Sequence, residues 1–131
     1  MKHAWFRNTV VLSILAMTGV SCASTQRAAA VSKAGIDEVW KACIDSLADV
    51  RFSATSASKD SGLIVADQAV VGGHGSVSRL NIMVEKVGSG TSVKITFIPP
   101  PGTVGGGGTA DEYVMALKKR VPALQVSQAK E

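Results

Sequence analysis

Cysteine, histidine and aromatic side chains are all scarce in this chain of 131 residues, and each shortage excludes something. There are two cysteines, Cys22 and Cys43, and two histidines, His3 and His74. Two cysteines allow one disulfide at most, and so few His and Cys leave little for a metal site. Three phenylalanines, two tryptophans and one tyrosine must serve the whole chain, so any core is built largely from Val, Ile, Leu and Ala. Charge of one sign is missing too: 14 basic against 10 acidic residues give a formal +4. Without Lys2 and Arg7 the balance is 12 against 10, which makes no case for nucleic acid as a partner. No apolar run reaches the roughly 20 residues needed to span a bilayer as a helix.

What is present begins at the amino terminus. Lys2 and Arg7 precede Thr9 to Val20, an uncharged run rich in Val, Leu, Ile, Ala and Met. A basic segment followed by an apolar segment of this length has the form of an export signal. The run ends in Thr18-Gly19-Val20-Ser21-Cys22. This resembles the bacterial lipoprotein signal, in which small or aliphatic residues lead to a cysteine whose thiol becomes a thioether carrying diacylglycerol. The position three before the cysteine holds Gly19, where that pattern favours Leu. The resemblance implies lipidation of Cys22 and membrane attachment through its acyl chains, and no disulfide is possible once Cys22 is acylated. Ala23 and Ser24 follow, with no Asp after the cysteine, and for lipoproteins of that kind the resemblance then implies onward transport to the outer membrane, facing the periplasm. An ordinary secretory signal cut after Ala23 and an uncleaved helix are the alternatives.

The organisation expected is a signal over 1–21, a lipidated flexible tether over 22–33, a domain over 34–121 and a polar tail over 122–131. The tether is expected because ASTQRAAAVSKA has no pattern of large apolar residues. In the domain, Ile36, Val39, Trp40, Cys43, Ile44 and Leu47 recur at spacings of three and four, which predicts a helix over about 34–49. Lys41 and Asp45 are one turn apart and predict a surface pair. Val50 to Ser56 and Leu63 to Asp67 flank the turn Ser58-Lys59-Asp60-Ser61-Gly62, a hairpin pattern. Leu80, Ile82 and Val84 alternate with Arg79, Asn81, Met83 and Glu85. Val93, Ile95 and Phe97 alternate with Ser92, Lys94 and Thr96 across Gly88-Ser89-Gly90, a second hairpin. Pro99 to Pro101 stop the last strand. Thr109-Ala110-Asp111-Glu112 has the form of a capping box, opening a helix with Tyr113, Val114, Leu117 and Val121 inward. The expectation is therefore α+β: a two-layer sandwich of a four-stranded antiparallel meander, with an N-terminal and a C-terminal helix on one face.

The helix with Trp40, Cys43, Ile44, Asp45, Ser46 and Leu47, the Lys59-Asp60-Ser61-Gly62-Leu63-Ile64 turn, two alternating strands and a closing helix carry a further likeness. They resemble small bacterial lipoproteins whose domain is similar to the helix-grip modules of the outer membrane assembly lipoprotein BamC. The likeness spans about residues 34–121 and implies an envelope interaction module, without catalytic residues to carry over. BamC's second module and long unstructured arm have no counterpart here.

The chemistry-bearing residues weigh toward structural roles. Cys43 shares its stripe with Trp40 and Leu47, so a buried inert thiol is expected. His74 stands alone among glycines, where an exposed loop residue is expected. Gly105 to Gly108 match neither a P-loop nor a dinucleotide fingerprint, although a glycine run before a helix could form an anion nest. Asp60 and Asp67 flank a strand as an acid-base pair would, but without an implied pocket. Lys118, Lys119 and Arg120 close the last helix, where cations suit the dipole, and Lys130 follows in sequence. No cofactor, metal or catalytic residue is expected. The reading is a non-enzymatic envelope lipoprotein, an interaction or structural module with a possible protein partner. The alternatives are a small-ligand binding domain, given a cavity between helices and sheet, and an enzyme.

Overall fold

A computed structural model describes residues 25–69, 77–100 and 108–127. In chain order these form β1 (Gln26–Ser32), α1 (Ile36–Leu47), β2 (Ser53–Ser58), β3 (Leu63–Ala69), β4 (Val77–Val87), β5 (Gly90–Ile98), α2 (Thr109–Arg120) and β6 (Gln125–Ser127). A short 3-10 turn, Ala48–Val50, extends α1. All pairings are antiparallel, and the sheet order is β2-β3-β4-β5-β1-β6. The architecture is α+β, with both helices on one face of an open sheet.

The sheet has six strands, not the four of a simple meander. Residues 26–32 were expected to be tether, yet they form β1, paired with β5 in a ladder from Gln26–Phe97 to Ser32–Thr91. Its inward side chains are Ala28, Ala30 and Ser32, all buried. Their small size lets α2 lie close over the strand, so a sequence poor in large apolar residues still occupies an interior position. The segment expected as tail contributes Leu124, buried against the core, and β6, whose Val126 opposes Ala30 on β1.

The other elements follow from their periods. β4 and β5 turn Leu80, Ile82, Val84, Val93, Ile95 and Phe97 to the helices, all buried. From α1 come Val39, Cys43 and Leu47, and Ile36, Trp40 and Ile44 pack half-buried at the margin. Tyr113 of α2 is fully buried, and its hydroxyl donates to the Cys43 carbonyl oxygen at 2.7 Å. This bond satisfies the one polar atom a buried tyrosine brings and ties the two helices together. Phe52 and Phe97 meet edge to face, ring centroids 6.4 Å apart. Gly62 has φ of 75°, and a Cβ there would run into the carbonyl oxygen of Val84. Its own carbonyl accepts from Val84 N–H at 2.7 Å, so the turn between β2 and β3 is locked against β4.

Two local expectations are corrected. The capping box does not form: the helix is capped by Gly108 in a left-handed conformation, and Thr109 is already helical. Only glycine tolerates φ of 92° without strain, so the backbone and not a threonine hydroxyl sets the start. Among the described residues Lys41 and Asp45 do not pair. The ion pair near them is Arg120 with Asp49, at 2.9 Å, and Arg120 also donates to the Asp45 carbonyl oxygen.

Candidate functional site

The surface that the fold leaves uncovered is the sheet face opposite the helices. Because residues directly opposite in an antiparallel ladder share a face, the register fixes its rows. One row runs Ser56, Val65, Asn81, Thr96, Arg27. The next runs Ser58, Leu63, Met83, Lys94, Ala29, and another runs Asp67, Arg79, Ile98. Arg79, Asn81, Met83, Glu85, Ser92, Lys94 and Thr96 thus stand on the open face, as their alternation predicts.

The face is more apolar than that alternation suggests. Leu63, Val65 and Met83 are half-buried on it, and Val31, Val77 and Ile98 are exposed there. The sequence assigns Leu63 and Val65 to neither face, because Leu63-Ile64-Val65-Ala66 is a continuous apolar run in which period two gives no choice of face. The ladder decides it, since Ile64 and Ala66 point inward at zero exposure. At the centre, the Asn81 side-chain oxygen is shielded from solvent and has no hydrogen-bond partner among the described residues.

The candidate acid-base residues are placed apart. Asp60 is exposed in the β2–β3 turn. Asp67 is on β3, its carboxylate bound bidentately by Arg79, Nε to Oδ1 at 2.8 Å and Nη2 to Oδ2 at 3.0 Å. The Arg79 hydrogen bond holds the Asp67 carboxyl below its ordinary value, and the same contact raises Arg79. A carboxylate so held is an acceptor already occupied, not a free base. Asp37 is lowered likewise by its hydrogen bond and ion pair with Lys59, at 2.5 Å.

Cys43 is where its stripe predicts, buried at zero exposure. Desolvation pushes its thiol up to about 12, and burial also raises Tyr113 well above the ordinary phenol. A thiol so disfavoured as thiolate is not a nucleophile at neutral pH.

Of the carboxy-terminal basic cluster, Arg120 is engaged with α1, while Lys118 and Lys119 are exposed. An open depression of about 440 Å³ lies outside the two helices, lined by Glu38, Lys41, Ala42, Asp45, Lys119 and Arg120. Its charged lining and open form suit solvent more than an apolar ligand. The helix–sheet interface itself is filled by the side chains of the core. Cys22, His74, Gly105 to Gly107 and Lys130 lie outside the described residues. Among the described residues no three His, Cys, Asp or Glu come together as a metal cluster, and no helix is long and apolar enough to cross a membrane. No family model matches the chain, and no curated protein matches it.

Proposed function

We propose that the chain is a bacterial envelope lipoprotein of non-enzymatic type, anchored at the outer membrane through acyl chains on Cys22, whose domain serves as an interaction module facing the periplasm. The anchor rests on the signal that ends at Cys22. Each acyl methylene buried contributes about 0.8 kcal/mol, so several chains on one cysteine hold a domain durably. The interaction role is carried by one observation, the uncovered sheet face with Leu63, Val65 and Met83 half-buried among Asn81, Thr96 and Lys94. A face of mixed polarity, flanked by apolar side chains, matches the make-up of modest protein contacts. The engaged state of Asp67 and the high thiol pKa of Cys43 weigh against catalysis by these groups.

Crosslinking in the envelope followed by pull-down tests this, with Cys22→Ser and Met83→Glu chains for comparison. A partner captured reproducibly by the wild type, lost with Cys22→Ser and weakened with Met83→Glu, is the expected result. A folded, membrane-held domain that captures no partner would contradict the interaction reading and turn attention to small ligands.

A further inference from the structure

β1 begins close behind Cys22 in the chain. Gln26 is its first residue, four positions after Cys22. Four residues span at most about 14 Å, so an anchor on Cys22 would hold that end of the sheet at the bilayer surface. β1 then runs away from it for seven residues, which carries its far end about 20 Å further.

The register identifies what lies at the near end. Gln26 opposes Phe97, so the chain enters the sheet beside Ile98, and Ile98 in turn opposes Arg79 on β4. On the open face at this end stand Ile98 at 38% exposure and Val77 at 39%, with Arg27 and Arg79 beside them. Arg79 is shared with Asp67, whereas Arg27 is exposed and has no hydrogen-bond or ion-pair partner among the described residues. Exposed aliphatic side chains next to a free guanidinium are what an interface of acyl chains and phosphates accommodates. Asp111 and Glu112, which open α2 on the helix side of the same end, disfavour contact there and turn the sheet side to the lipid.

We infer that this end of the open sheet face is a membrane contact: Ile98 and Val77 enter the headgroup region and Arg27 binds lipid phosphate, fixing the orientation of the domain on the bilayer. This rests on lipidation of Cys22. The partner is the phospholipid surface, and the far half of the open face, with Met83, Lys94 and Val31, remains free above it.

The test uses the lipidated protein in vesicles of phosphatidylethanolamine and phosphatidylglycerol. A fluorophore is attached through Ile98→Cys or Val77→Cys near the anchor, or through Val87→Cys at the opposite end, where exposure is 53%. Cys43 is buried and does not compete for the label. Headgroup-region quenchers should extinguish the labels at 98 and 77 and leave the one at 87 bright, and Arg27→Glu should restore emission at 98. Stable vesicle binding with equal quenching at both ends, or with quenching at 87 alone, would overturn the contact while leaving the anchor intact. Failure to bind vesicles, with no lipid mass on Cys22, would remove the anchor and the contact together.

Discussion

At the residue scale, two groups whose pKa values are shifted make the fold's acid and alkaline limits predictable. Asp67 has a folded pKa below its ordinary 3.8 because Arg79 donates to it. The unfolded chain therefore takes up this proton first as pH falls, so the contribution is full above about 4 and disappears on further acidification. The Arg79 side chain is about half exposed and Asp67 only partly buried, so the effect is modest. Asp67→Asn should flatten the acid limb of stability below about pH 4, as followed by urea denaturation at several pH values; an unchanged limb would show that the pair contributes nothing. Cys43 shifts the other way, from 9.0 to about 12, because burial disfavours the thiolate. Here the unfolded chain loses its proton first, so stability is full below about pH 9 and declines as pH rises toward 12. A thiol reagent at pH 8 should accordingly react with Cys43 only as fast as the domain opens, and addition of urea should accelerate it sharply. Rapid labelling of the native domain would contradict the buried placement.

At the scale of elements, β1 is the strand on which the fold turns. It is hydrogen-bonded on both sides, to β5 and β6, and it places Ala28 and Ala30 in the core. A chain starting at residue 34 should therefore fail to fold cooperatively, leaving the β5 ladder open and the inward side chains of β5 uncovered, whereas one starting at residue 23 should give a sharp thermal transition by circular dichroism. Equal cooperativity of the two would mean that β1 is dispensable. The contrast also explains how legible the fold was. α1, α2, β4 and β5 announce themselves through large apolar residues at clear periods, and both hairpins through their turns. β1 holds three consecutive alanines, and its one large apolar residue, Val31, faces outward, so its period carries no hydrophobic contrast; it becomes a strand because β5 offers a ladder and α2 a close cover. β6 is three residues long and carries a single apolar side chain, too little to register as a pattern. The start of α2 goes to Gly108 because its left-handed backbone takes the cap position and leaves Thr109 already helical. The open face was half legible: the polar side of β4 and β5 was evident, while Leu63 and Val65 were concealed in an unbroken apolar run.

At the scale of the whole molecule, the order of the chain would couple the proposed anchor to the sheet. If Cys22 carries lipid as proposed, β1, a strand paired on both sides, begins four residues later, and a domain held on so short a leash would have little freedom to present its faces at random. The helices cover one side of the sheet and the open side carries the mixed surface, so under the proposed function it is the open side that would meet a partner. All of this depends on the chemistry at Cys22, and the most direct measurement is the intact mass and membrane distribution of the wild-type chain beside Cys22→Ser in a bacterial host. The account predicts a wild-type protein that begins at Cys22, carries the added mass of diacylglycerol and acyl chains and sediments with membranes, and a Cys22→Ser protein that accumulates as precursor or is released. A Cys22→Ser protein processed like the wild type and retained equally in membranes would contradict it.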